Sequence, residues 1–516
     1  RFHPGMEAIA QAAQIDWRFL DRYPQHYRAA RIPAHTPPPV LDGRLDDEVW
    51  KLAEWTGGFE DIAQTLFPTH TIPSGFETRA KVLWGEGFLY VAAELQDRFV
   101  SGSVTAHNEQ VPYVDNDFEV FIDVSGTTHF YKEFEMDLLN GTYDVLWRAT
   151  DPQSPGLGGV PCDPKLHLPG GSWCCNSTDR SVGFTGNWTM APALAAAAHV
   201  DTSGGESFGP EFPFTPWTVP APRWTAEVRF PISGVPGVHG GLTDSEASVA
   251  RGSLYDFTVF DPSRAPPSWG PRYWWINFAR SEHPLTRSLG KASAVQCADV
   301  KARLPTLLGD DPWSCYWSWV WQQMGATKYL HYPEMWGILE FAGTGLVPSR
   351  DLAWSSHHRS EEVAAVNCLN IEFPGRHVAL QLFWAQYAYW QQHHTYTTSI
   401  LTLLEKAYCS YKPPQNVSNY CRPDDVRRAM QYADIFALRI DVDTSSRSCV
   451  QYPTASTQGN ATGGPCFSVQ VNVTVPGHHT YRVNVNADRF VTVEHPALSD
   501  VLPCLNEAQV VPEVSE

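Results

Sequence analysis

A chain of 516 residues is long enough for two domains and a small third, and its 41 Pro and 37 Gly interrupt it so often that a loop-rich β protein is expected. Its formal charge of −19 comes with no cluster of Lys and Arg able to neutralise phosphates, which argues against a nucleic-acid groove and fits a solvated acidic exterior. No run of about 18 apolar residues occurs, so no helical membrane span is expected.

Residues 1–30 carry a helical pattern (Ile9, Ile15, Trp17, Phe19, Leu20) that predicts an amino-terminal helical arm, folded back on its own chain or docked on a neighbouring subunit. Residues 31–346 read as an antiparallel β-sandwich with insertions near 148–222 and 281–312. The clearest pattern lies at residues 114–140. Phe118, Val120 and Ile122 alternate with Glu119, Phe121 and Asp123, and after Gly126 the residues Phe134, Met136 and Leu138 alternate with Glu133, Glu135 and Asp137. That two-residue period predicts a hairpin with one apolar face and one acidic, solvent-facing side. Residues 347–516 predict a smaller α+β domain: a long helix over 375–394, then a hairpin. In the hairpin Val469, Val471 and Val473 share a face with Tyr481, Val483 and Val485, and Asn472 lies on the wet side. The fold class expected is therefore mainly β, a sandwich with an α+β unit behind it.

Several motifs extend this reading: Leu41-Asp42-Gly43-Arg44-Leu45-Asp46-Asp47-Glu48-Val49-Trp50, the strand pair 78–84 and 89–94, and the 115–140 hairpin. Residues 197–201, 224–231, 275–280, 319–321 and 331–337 follow them. In that order they resemble the carbohydrate-binding module family 9 sandwich, over roughly residues 31–342. The resemblance implies a non-catalytic glycan-binding protein in which two aromatic faces enclose a terminal sugar and a carboxylate fixes its hydroxyls. It maps the first aromatic onto Tyr113, where the family usually has Trp, and the carboxylate onto Glu119. The second aromatic falls on Trp319 or Trp321, with Asn277 as a polar candidate. Trp50, Trp84 and Trp336 are expected in the core. The family's structural calcium points to Asp46, Asp47, Glu48, Asp61 and Asp97 as hard oxygen donors, although no EF-hand spacing is present; no other cofactor is expected.

Eleven cysteines without a Cys-x-x-Cys pair favour disulfides over a metal cage. Proximity along the chain suggests Cys297 with Cys315, Cys409 with Cys421, and Cys449 with Cys466, and the odd count leaves one thiol over. N-x-S/T sequons stand at Asn140, Asn176, Asn187, Asn416, Asn460 and Asn472. With a first residue of Arg1 rather than Met, these features predict a mature, secreted, extracellular glycoprotein.

Glu133, Glu135 and Asp137 share a strand face and would permit paired-carboxylate hydrolysis, but a solvated acidic face requires no catalytic role. No nucleophile elbow, Walker loop or His-Glu-x-x-His is present, so no enzyme is expected. The first reading is a glycan-binding protein of a cell surface or matrix. Its rival is a structural subunit of an extracellular filament or coat, self-associating through its ends and spare cysteine, with the sandwich as scaffold.

Overall fold

In the computed structural model, the residues described are 24–62, 72, 75–85, 88–97, 102, 104–107, 116–123, 126, 128, 131–147, 195–201, 223–231, 273–282, 319–322, 330–341, 369–370, 372–405, 422–433, 435–443, 466–474, 480–487, 489, 491–494 and 504–505. The alternating stretches form strands β1 (His26–Arg31), β2 (Glu60–Asp61), β3 (Thr78–Gly85), β4 (Phe88–Gln96), β5 (Asp117–Asp123), β6 (Tyr131–Asp137) and β7 (Thr142–Trp147). The same framework continues with β8 (Ala195–Asp201), β9 (Arg223–Pro231), β10 (Tyr273–Glu282), β11 (Trp319–Gln322) and β12 (Gly337–Phe341).

These strands make two layers that share β1. One runs β7-β6-β5-β10-β12-β1 and the other β1-β3-β4-β9-β8, with β11 added beside β10 and β2 beside β11. β1 pairs in parallel with β12 through residues 26–29 and with β3 through residues 30–31, whereas the other pairs are antiparallel. Between the layers lies a dry core. Phe134 meets Phe230 edge-on at 5.4 Å, Trp274 and Trp84 meet Phe341 at 4.8 and 5.7 Å, and Phe118 stacks on Phe278. Such offset and edge-on contacts are the preferred geometry of aromatic quadrupoles. The mainly β, antiparallel sandwich is thus the fold of this region, and Trp50, Trp84 and Trp336 are buried as expected.

One boundary differs from expectation. The helical arm assigned to residues 1–30 gives way at His26 to β1, which sits in the middle of the sheet; residues 1–23 lie outside the described residues. Tyr27 anchors the strand, its hydroxyl donating to the Glu54 carbonyl (2.6 Å) and accepting from the Val82 amide (2.9 Å). Parallel pairing on both edges, a tertiary effect, decides the conformation of these six residues.

The carboxy-terminal elements are β13 (Leu369–Asn370), α1 (Phe373–His393), α2 (Ile400–Leu403), α3 (Pro423–Gln431), β14 (Phe436–Asp443), β15 (Cys466–Thr474), β16 (Thr480–Asn486), β17 (Val491–Glu494) and β18 (Cys504–Leu505). A four-stranded antiparallel sheet, β14-β15-β16-β17, receives α1 on its apolar face. Gly375 makes the close approach possible: a Cβ there would stand 2.9 Å from both Tyr481 Cε2 and Val473 Cγ2. The helix ends at His394, which takes a left-handed conformation (φ 52°) and closes the last turn.

The helix is buried on more than one side because its other flank covers the outer face of the sandwich. Phe121, Tyr131, Trp275 and Trp336 belong to the same apolar cluster as Val378, Leu382 and Phe383. Polar contacts fix the junction. Arg376 Nη1 donates to the Gly126 carbonyl (2.6 Å), and Thr128 Oγ1 donates to the Arg489 carbonyl (2.8 Å). The Arg489 guanidinium lies 3.3 Å from Glu334 and over the Tyr332 ring, with both charged side chains buried.

Candidate functional site

The outer sandwich face on which Phe121 and Tyr131 meet α1 also carries the acids of the central hairpin. β5 and β6 pair with Asp117 opposite Asp137, Glu119 opposite Glu135, and Phe121 opposite Glu133. On its other edge β5 pairs with β10, where Glu119 stands opposite Ala279 and Phe121 opposite Asn277. Opposed residues of a sheet share a face, so Asp117, Glu119, Glu133, Glu135, Asp137 and Asn277 form one polar field. Strand register alone therefore brings the expected carboxylate, Glu119, and the expected amide, Asn277, together.

The expectation that this face is solvated is overturned. Glu119 is 2% exposed, Glu133 4%, Glu135 2%, and Asp117, Asp137 and Asn277 are fully buried. Burial and mutual repulsion act on the charges. Asp117 is pushed well above the usual carboxylate range, first by desolvation and then by the neighbouring Glu119. Glu119 is pushed up to about 8 by desolvation and by Glu133, against the opposing pull of Ser281 and Asp117.

Ser281 is the main donor here: its amide gives to Asp117 Oδ1 at 2.8 Å and its hydroxyl to Glu119 Oε1 at 3.0 Å. Asp137 is held by the amides of Leu139 (2.6 Å) and Val104 (3.3 Å). One oxygen each from Glu119, Glu133 and Glu135 lie within 4.8 Å of one another. That is shorter than the separations of about 5–5.5 and 6.5–9.5 Å used by retaining and inverting glycosidases, and all three glutamates are buried.

Tyr113 lies outside the described residues. For Trp319 and Trp321 the structure describes the backbone only: both are on β11, with Trp321 opposite Arg280 on one side and Asp61 on the other, and Trp319 opposite Glu282. Glu119 aligns through Ala279 with Gln322, one register step from Trp321. Arg280 is itself buried, bonded to Glu282 (2.6 Å), Thr78 (2.9 Å) and the Gln96 carbonyl (2.7 Å).

The acids expected to supply calcium ligands are not brought together. Asp46 is exposed, Asp47 accepts from the Val40 amide, and Glu48 pairs with Lys51. Asp97 is engaged by Arg280 and Asn116, and Asp61 belongs to β2. Among the described residues, the metal-competent trio is Glu119, Glu133 and Glu135.

Sequence reasoning also missed Glu227. From β9 it accepts from Trp50 Nε1 (2.7 Å) and from the amides of Gly43 (2.9 Å) and Asp42 (3.1 Å), tying the opening Asp-Gly loop to the second layer. Burial raises it to about 7 against those three donors. A single Glu within an alternating strand gives no signal of partners 177 to 185 residues away. Of the sequons, Asn140 is exposed at a turn (φ 67°) and Asn472 is half-buried on β15, where Arg482 donates to its Oδ1. Asn176, Asn187, Asn416 and Asn460 lie outside the described residues, as do Cys297, Cys315, Cys409, Cys421 and Cys449, while Cys466 is described by its backbone on β15.

Residues 41–154 match the family described as carbohydrate family 9 binding domain-like. Among curated proteins, endo-1,4-beta-xylanase C of Paenibacillus barcinonensis is 30% identical over 124 residues, which is 24% of this chain and 9% of that enzyme. The chain thus spans under a tenth of that relative's length. Among solved structures, a family 9 carbohydrate-binding module from Caldicellulosiruptor kristjanssonii in complex with cellotriose shares 11% identity, with 63% of this chain and 100% of the module covered and a TM-score of 0.29. A putative carbohydrate-binding protein from Bacteroides uniformis shares 10% identity over 62% of this chain and 99% of that one, with a TM-score of 0.31.

Proposed function

We propose that this chain is a non-catalytic carbohydrate-binding protein that acts outside the cell. The observation that carries the reading is the family 9 binding domain-like match over residues 41–154, a stretch that supplies β5 and β6 and with them Glu119. Glu119 and Asn277 share one sheet face and are groups of the kind that bind sugar hydroxyls, while β11, beside β10, carries Trp319 and Trp321 at the alternate register positions, opposite Glu282 and Arg280. Partial likeness to an endo-1,4-beta-xylanase supports a β-1,4-linked glycan as ligand.

Secretion and N-glycosylation are supported by the sequons, of which Asn140 stands at an exposed turn with its Oδ1 accepting from the Ala198 amide (2.6 Å), and by the cysteine count. Among the described residues, no helix is long and apolar enough to cross a membrane.

A second reading is favoured by the burial of Glu119 and Asn277: the sandwich serves as scaffold in an extracellular filament or coat. A glycan array probed with the full chain separates the two. Retention of one glycan class, weakened at least about tenfold by Trp321→Ala, supports binding; silence on the array together with large particles by light scattering supports the scaffold.

A further inference from the structure

We propose that β14 is a docking edge for a second copy of this chain: two β14 strands pair antiparallel about a two-fold axis through Ile440 and join the two carboxy-terminal sheets into one. The first argument is the state of the edge. β14 ends the order β14-β15-β16-β17, runs from Phe436 to Asp443 without Pro, Gly or Lys, and meets no further strand among the described residues. A long, regular edge of this kind is a template for another chain. Two other edges are blunted: β17 has only four residues, and the Ala198 amide of β8 is taken by Asn140 Oδ1 at 2.6 Å.

Ladder parity shows what β14 offers. The Thr474 amide donates to the Ile435 carbonyl at 2.8 Å beside the pair Phe436–Val473, so Ala437, Arg439 and Asp441 are the residues that exchange bonds with β15. The N–H and C=O groups of Leu438, Ile440 and Val442 therefore point to the open edge.

The second argument is self-complementarity. Centred on Ile440, the pairing sets Ile440 against its counterpart and Leu438 against Val442, so that outward-pointing residues exchange both backbone bonds. It also sets Arg439 of each chain opposite Asp441 of the other, in the non-hydrogen-bonded position where Cα atoms stand about 4.5 Å apart. Centring on Arg439, Asp441 or Val442 sets like charges opposite one another, and centring on Leu438 leaves Arg439 opposite Ala437. Within one chain Arg439 Nη2 already reaches Asp441 Oδ1 at 2.8 Å, with both side chains exposed, while Ile440 on the other face joins the apolar cluster with Val426 and Ala429 of α3. A two-fold axis perpendicular to the sheet keeps α3 of both chains on one side of it. The backbone ladder holds the pair together and the charges set its register. Two copies so joined present two sandwiches to one polymer; a gain in glycan avidity rests on the function proposed above, whereas the pairing does not.

The test is analytical ultracentrifugation of the full chain, in reductant, over a wide concentration range. The expected result is a reversible dimer. Arg439→Asp and Asp441→Arg each set like charges across the axis and weaken it at least about tenfold, and the double variant Arg439→Asp/Asp441→Arg restores it. Both positions are exposed, so the variants keep the parent's fold, which melting curves check. A parent that stays monomeric at the highest concentration overturns the proposal. So does a dimer or larger particle that the single reversals leave unchanged, and so does a double variant that associates as weakly as the singles.

Discussion

Replacement of Arg489 tests how the carboxy-terminal unit is fastened to the sandwich. Its guanidinium is fully buried, 3.3 Å from Glu334 Oε1 and 5.0 and 5.8 Å from the rings of Tyr332 and Trp384, and its carbonyl accepts from Thr128. Arg489→Met keeps the length and the backbone contact but leaves Glu334 buried without its counter-charge. Breaking a buried pair in this way costs about 3–5 kcal/mol, whereas replacing both members by apolar residues is often neutral or stabilising. The double variant Arg489→Met/Glu334→Leu is therefore expected to recover most of the loss. Desolvation already raises Glu334 despite the pull of Arg489, and removing the arginine raises it further. The penalty of Arg489→Met should then shrink as pH falls and Glu334 takes up a proton. The assay is urea unfolding of the four proteins at pH 7 and pH 5. A single variant within about 0.5 kcal/mol of the parent, or a double variant as unstable as the two singles summed, would refute the reasoning, since coupled neighbours do not add.

Three further outcomes follow from the geometry. Glu227→Gln sets an amide donor against N–H groups of Trp50, Gly43 or Asp42 and should cost about 1–3 kcal/mol, measured by urea unfolding. Gly43→Ala is expected to destabilise strongly, because its φ is 81° and a Cβ would lie 2.4 Å from the Ala198 carbonyl carbon; soluble yield and melting temperature report it. For Glu119, the folded pKa of about 8 exceeds that of the unfolded chain. Protons are thus bound more tightly by the folded state, and stability should be greatest below about pH 4.5 as far as this group is concerned and fall as pH rises toward 8. Melting temperatures across that range check it, and Glu119→Gln should flatten the dependence.

Much of the fold was legible because the two-residue period of residues 117–123 and 131–137 and the long apolar helix at 373–393 are local signals. The valine alternation of β15 and β16 was equally plain, and Val471 does face Val483. What alternation could not disclose is what covers each face. Phe121 and Glu119 sit in the same strand pattern, yet one packs beneath α1 and the other joins a buried acidic field. An acid-rich face resembles a wet one in sequence, and only tertiary packing distinguishes them. β1 was hidden for a related reason: its strand state depends on β3 and β12, whose partner residues lie tens to hundreds of positions away. Within the site, Glu119 and Asn277 were readable from family resemblance, while Asp117 and Ser281 emerge only from the β5–β10 register.

The most direct test of carbohydrate binding is calorimetric titration of the full chain with soluble β-linked oligosaccharides and xylan, the parent beside Trp321→Ala. The account predicts saturable binding by the parent, reduced at least about tenfold in the variant. A parent that binds none of these glycans, or a Trp321→Ala variant with undiminished affinity, would contradict it.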